Sequence, residues 1–318
     1  MGQHLYQRTY KFFNRQVHQV IDYFQRISFP GFEGVPIYNV FSFFFKGLLK
    51  GSLNIRASSI AFNFLLALGP GIIFLLTLIP YLPINNFQQE LMQIMYDVIP
   101  ENSYIAIESL LAEIFVKRGG LQIFGLLTAF FFAQKGVNGM IEAFNATYHT
   151  IETRPWLERR LISVGLVFIL AFLIATATVL FIFSKTGIGK LAEYDIIKID
   201  ITYYLLLTGK WIIIVGATFF SISFLYYLAP IRKTKWKFYS AGSTLATLLT
   251  IVASLGFSYF VNHFAQFNKF FGSIGALIAL MLWMNFNALT LLIGFELNAS
   301  INNARLQNID LEDINTAL

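Results

Sequence analysis

Charged residues are missing from long stretches of this chain, and the gaps are too long for the core elements of a soluble protein. No charge occurs over residues 57–89, and the apolar core of that stretch ends near Ile79. Uncharged runs recur over residues 161–184, 211–231, 238–264 and 270–295. A helix needs about 20 mostly apolar residues to cross a hydrocarbon core of about 30 Å, and each of these runs supplies them. A sixth stretch opens at Gly119 (GGLQIFGLLTAFFFAQKGVNGMIEAF) and is uncharged up to Lys135, beyond which apolar character resumes. It reads as one helix with an embedded lysine. The pattern predicts an all-α fold, a polytopic membrane helical bundle of about six transmembrane helices. Their spans lie near 57–79, 119–146, 161–184, 205–230, 238–264 and 271–298.

Two segments ahead of the first span alternate differently. Residues 1–29 mix Phe12, Phe13, Val17, Val20, Ile21, Phe24 and Ile27 with Arg and Gln at helical spacing. Residues 38–55 carry YNVFSFFFKGLLKG with sparse lysines. Either segment can lie in the plane of the interface on the cytoplasmic side or pack on the bundle. Between the first two spans, residues 86–116 read as two short acidic amphipathic helices split at Pro100, a helical extracytoplasmic loop. The expected organisation is a cytoplasmic or interfacial amphipathic region over 1–55, a six-helix transmembrane domain over 56–300 and a cytoplasmic tail over 301–318. No internal repeat or flexible linker divides it.

Composition agrees with lipid as the solvent. Only 13% of residues are charged and the mean hydropathy is +0.63, against about 25% charged in soluble domains. The formal net charge of +6 suits anionic headgroups better than nucleic acid, because basic residues gather beside cytoplasmic helix ends. With six spans, one side receives 15 Lys and Arg residues and the other 6. The richer side includes the cluster IRKTKWK at 231–237. Both termini are therefore expected in the cytoplasm, in a bacterial inner membrane. The N-terminal segment lacks the apolar run of a cleavable signal peptide. Membrane lipids are the expected partners, and nucleic acid is not. Protein partners and homo-oligomerisation are left open.

Candidate chemistry is sparse. Cysteine is absent and the four histidines, His4, His18, His149 and His263, are scattered, so no metal site, cofactor or thiol nucleophile is expected. Polar and helix-breaking residues inside the spans carry more information, because lipid penalises them unless they face a bundle interior or a wet cavity. The first span contains Asn63 and then Gly69, Pro70 and Gly71, where a kink or break is expected. Arg56, Lys135, Glu142 and Glu296 fall at similar depth. They can form an ionic cluster that gates or locks the helices, they can snorkel to the interface, or they can act as substrate ligands, with a headgroup phosphate meeting Arg56 or Lys135. Asn63, Pro70 and Asn285 are candidates for the same substrate or gating site. Asn285 and Asn287 sit mid-span, where side-chain amides glue helices together.

The run FGSIGALIALMLWMNFNALTLLIGFELNAS, at 271–300, resembles the last-helix signature of the YihY/BrkB membrane protein family. The matching residues are Gly272, Gly275, Trp283, Gly294, Glu296, Leu297, Asn298 and Ala299. RASSIAFNFLLALGPG is similar to the family's first span at Arg56, Ala57, Ala61 and Pro70. AQKGVNGMIEAFNATYHT is similar to its basic-Gly segment at Lys135, Gly136, Asn145 and Tyr148, and Pro230, Trp236 and Gly242 also match. The chain departs from the family pattern at Phe62-Asn63, at Leu68-Gly69-Pro70-Gly71 and in having Lys135 where Arg is commoner. The resemblance implies six helices in the inner membrane and no agreed biochemical activity. An older ribonuclease BN label for some members finds no metal cluster or catalytic carboxylate set here. The expected function is a non-enzymatic transporter or lipid-translocating protein of the cell envelope. A non-catalytic scaffold is the alternative, and an intramembrane hydrolase a remote one.

Overall fold

The computed structural model describes residues 27–29, 31–50, 52–78, 119–146, 155–193, 199–231, 238–263 and 273–317. Among them are seven α-helices and no strand. The helices are α1 (Ile37–Lys50), α2 (Leu53–Leu78), α3 (Gly119–Asn145), α4 (Trp156–Glu193), α5 (Ile199–Leu228), α6 (Ala241–His263) and α7 (Ser273–Ala317). Helices α2 to α7 occupy the six stretches whose apolar runs predict spans. Four segments are long and apolar enough by themselves to cross a membrane: Trp156–Leu180, Thr208–Leu228, Ala241–Phe260 and Leu277–Gln307. Gln134, Lys135 and Asn138 dilute the apolar character of α3. Pro70 lies inside α2, which continues to Leu78, so the helix does not break there.

Neighbours in sequence pack as neighbours in space. Helix α2 packs on α3, α3 on α4, α4 on α5, α5 on α6 and α6 on α7, and α7 returns to pack on α2. Six helices thus form a closed ring. Short connections favour this order from α3 to α7, whereas α2 and α3 pack together across the long segment 79–118. Fully buried apolar residues occupy one end of it, where α2, α4 and α6 begin and α3 and α5 finish. They include Ala57 and Ile60 on α2, Ile141 and Phe144 on α3, Leu166 on α4, Tyr226 on α5, Ala246 on α6 and Leu292 on α7. This end is called proximal here. Toward the distal end large apolar side chains are exposed, among them Leu66, Phe124, Phe172, Ile212, Val252 and Leu277, as lipid as a solvent allows.

At the proximal end α1 lies along the later part of α7. Phe32, Val35, Ile37 and Val40 bury against Leu297, Ile301 and Ala304. Arg305 Nη1 lies 2.8 Å from Glu33 Oε2, a pair that ties the segment before α1 to α7. Of the two placements open to residues 38–55, packing on the bundle is the one observed for this inner face. Helix α1 passes into α2 through Ser52, whose φ of 49° lies in the left-handed region. The Ser52 carbonyl accepts from the Ile55 and Arg56 amides, which starts α2. Helix α7 continues to Ala317, so the expected tail is largely a helical extension of the last span. The acidic loop at 86–116, most of segment 1–29 and the basic residues 232–237 lie outside the described residues.

Candidate functional site at the proximal end of the ring

The proximal end is where the chain concentrates its buried polar side chains. Arg56 opens α2 and Glu296 sits on α7, with relative exposures of 8% and 0%. Arg56 Nη1 lies 4.0 Å from Glu296 Oε2. Charges buried this completely are costly unless each has a counter-charge and hydrogen-bonding partners, so the pairing ties α2 to α7 where the ring closes. Gly47 of α1 covers the carboxylate. A Cβ there would collide with Glu296 Oε1 and stand 2.6 Å from its Cδ.

The four charges predicted to cluster separate into two places. Glu142 is exposed, with its carboxylate 3.2 Å from Arg159 at the start of α4 and accepting from Asn138 at 3.0 Å. Lys135 is exposed on α3, apart from the Arg56–Glu296 pair. Only Arg56 and Glu296 meet. Asn63 lies half-buried against α3, where a Cβ at Gly139 would stand 2.7 Å from its Nδ2. A Cβ at Gly136 would stand 3.8 Å from the Phe64 ring, an ordinary contact. Asn285 accepts from Ser58 at 3.4 Å across the α2–α7 seam, and Asn287 accepts from Ser254 at 3.5 Å across α6–α7. Thr250 and Thr290 add a 2.8 Å bond on that second seam. These polar groups tie neighbouring ring members together, the role expected of the two mid-span asparagines.

Two further asparagines close helix ends. Asn145 is buried, donates to the Ala229 carbonyl at 3.1 Å, and accepts from the Ile231 amide at 3.1 Å. It thereby pins the turn through Pro230, where α5 ends and proline leaves no amide to donate. Asn298 accepts from the Gly242 amide at 2.8 Å and donates to Ser240 Oγ at 2.8 Å. Ser240 and Ser243 cap the start of α6 reciprocally, each hydroxyl accepting from the other's amide. The side chain of α7 thus joins the N-terminal cap of α6.

The centre of the ring is filled at this level. Phe144 of α3 stacks on Phe295 of α7 with centroids 4.6 Å apart and planes at 10°. Tyr226 of α5 meets both rings edge-on, at 5.6 Å and 5.7 Å, and donates to the Leu291 carbonyl. Helices α6 and α7 come together at Gly242 and Gly294. A Cβ on Gly294 would stand 2.5 Å from the Gly242 carbonyl oxygen, 2.6 Å from Ala246 Cβ and 2.8 Å from the Tyr226 hydroxyl. Trp283 lies nearer the start of α7, toward the distal end, and is exposed. Tyr148, Gly272 and Trp236 lie outside the described residues. Phe144, Tyr226 and Gly47 escaped the sequence reading. A glycine amid the apolar run FFFKGLLK is a usable signal for Gly47, since glycine inside a helix costs roughly 0.5–1 kcal/mol relative to alanine.

A ring of six apolar helices, sealed at one end by aromatic packing, a buried ion pair and two asparagine clamps, defines a polytopic membrane protein. Residues 44–313 match the family model described as Virulence factor BrkB, and the chain belongs to that family. It is 30% identical over 248 residues to the ribonuclease-like protein YfkH of Bacillus subtilis (strain 168), covering 78% of this chain and 89% of that one. A membrane protein designated UPF0761 from Prosthecochloris aestuarii is 24% identical over 76% of this chain and 56% of its own length. Another UPF0761 membrane protein, from Tolumonas auensis, is 23% identical over 83% of this chain and 86% of its own. No solved structure matches. Among the described residues no group of three or more His, Asp or Glu residues gathers that could hold a metal ion.

Proposed function

We propose that this protein is a non-catalytic transporter of the bacterial inner membrane that moves a lipid or lipid-like amphiphile, with its proximal end toward the cytoplasm. The orientation is supported by the excess of Lys and Arg on the proximal side of the predicted spans. The observation that carries the transport reading is the closed ring of helices, packed at its proximal end around Phe144, Tyr226 and Phe295. Ligand sites in helical bundles lie between the helices. A path through this ring is blocked at the proximal end and bordered distally by apolar helices that acyl chains can solvate. Passage requires the Phe144–Phe295 stack to part. Arg56 and Glu296 hold α2 to α7 on the closed side and act as gating residues rather than as ligands for a headgroup.

Reconstitution into vesicles with fluorescent phospholipids in one leaflet tests this directly. Protein-dependent exchange between leaflets is expected, raised severalfold by Phe144→Ala and unchanged by Lys135→Ala. Equal exchange with and without the protein would sink the reading. A stoichiometric protein partner recovered alongside inactive vesicles would favour the scaffold alternative.

A further inference from the structure

Helix α1 has two faces, and packing on α7 uses only one. Ile37, Val40 and Gly47 turn inward and are buried. On the other side Tyr38, Phe41, Phe45 and Leu49 form a stripe at helical spacing, exposed by 40%, 40%, 55% and 85%. Exposure rises toward Leu49, the end nearest the next helix, on which Ile55 is exposed by 74%. Lys46 and Lys50 stand one helical turn apart beside this stripe, both exposed. Lys46 Nζ lies 5.9 Å from the Phe43 ring centroid.

Along the sequence on either side of this stripe the charge has one sign. No Asp or Glu occurs between Gly34 and Gln89, whereas Lys46, Lys50 and Arg56 do. Arg56 points inward to Glu296, whereas Lys46 and Lys50 are exposed. An apolar aromatic stripe flanked by lysines matches the composition of a helix lying at a bilayer surface, with its rings at the level of the headgroups. The polar atoms that complement two ammonium groups there are phosphodiester oxygens, and a net negative leaflet strengthens the attraction near the surface.

We propose that the outer face of α1 is a binding surface for anionic phospholipid, with Lys46 and Lys50 on the headgroup phosphates and Phe45 and Leu49 among the upper acyl segments. The site belongs to one leaflet, at the proximal end of the ring, and does not require that the ring transport anything. It also places a lipid-sensitive element on the Arg56–Glu296 pair, because Gly47 on the inner face of α1 abuts the carboxylate.

The chain contains no cysteine, so Leu49→Cys gives a uniquely spin-labelled chain. It is reconstituted in vesicles of phosphatidylcholine alone and of phosphatidylcholine mixed with phosphatidylglycerol. The accessibility of the label to oxygen and to a water-soluble nickel chelate is then compared. In the anionic vesicles the label shifts toward oxygen. Lys46→Gln with Lys50→Gln removes that shift, Lys46→Arg with Lys50→Arg keeps it, and added inorganic phosphate leaves it in place. The proposal is overturned by equal accessibility in the two vesicles, or by a shift that survives the glutamine pair. Loss of the shift on adding phosphate overturns it too, since the site would then bind free anions. Spin–spin broadening that places a second copy of the chain on this face also overturns it.

Discussion

Glu296 has no exposed surface and Arg56 has 8%, so neither can turn to water when the other is removed. Breaking a buried pair by deleting one partner costs about 3–5 kcal/mol, whereas replacing both by apolar residues is often close to neutral. Glu296→Ala is therefore expected to destabilise the detergent-solubilised protein strongly. Arg56→Met combined with Glu296→Leu is expected to recover most of the loss. Thermal unfolding of Glu296→Ala and of the double variant measures how much of the loss is recovered. If the double variant is no more stable than Glu296→Ala, Arg56 is not what pays for burying Glu296. Arg56 and Glu296 are legible in the sequence as charges inside apolar runs. Their being a pair, to the exclusion of Lys135 and Glu142, is not. Glu142 finds Arg159 across a chain reversal, and no local pattern tells an acid on one helix which of several bases will face it.

At the scale of elements, α6 and α7 meet through their smallest residues. Gly294 faces the Gly242 carbonyl oxygen, Ala246 and the Tyr226 hydroxyl with no room for a methyl group. Small residues at a seam let backbones approach closely, and in lipid that packing is a main source of helix association. Gly294→Ala must push the helices apart or displace Tyr226 from the Leu291 carbonyl. Overpacking of this kind typically costs about 1–3 kcal/mol. A lowered unfolding temperature is expected, with Gly256→Ala as control, because nothing lies within 4 Å of a Cβ at that position. An equal drop for both variants would point to a loss unrelated to the seam. The helices themselves are well marked in the sequence, since about 20 uncharged apolar residues have few other uses. The seams are less so. Gly242, Gly294 and Asn298 stand out through the family signature, but that Asn298 reaches the first turn of α6 emerges only when residues 56 apart in sequence are brought together.

For the whole molecule, the unequal distribution of buried residues predicts unequal rigidity. The proximal end is tied by Arg56–Glu296, by Asn145, by Asn298 and by three aromatic rings. The distal halves of the helices share few such ties among the described residues. Local stability follows the density of buried contacts, so the distal halves are the parts free to move relative to one another. Nitroxide pairs in the cysteine-free chain can report this. Labels at Leu66 and Val252 probe the distal parts of α2 and α6, and labels at Ile55 and Thr244 probe their proximal parts; all four positions are exposed. The distance distribution is expected to be broader for the distal pair. Equal widths would mean that the ring is uniformly stiff and would remove the mechanical basis for opening it at one end. Ring closure itself was the least legible property in the sequence. Hydropathy orders the helices along the chain, whereas the return of α7 to α2 depends on long-range packing.

That return sets a schedule for biosynthesis. Arg56 enters the membrane with the first span, and 240 residues separate it from Glu296. At roughly 5–20 residues per second, about 12–48 s pass before the counter-charge exists. Over that interval the guanidinium has to remain among headgroups and water at the membrane surface, with α1 not yet clamped, so assembly of the proximal end waits for the last helix to be made.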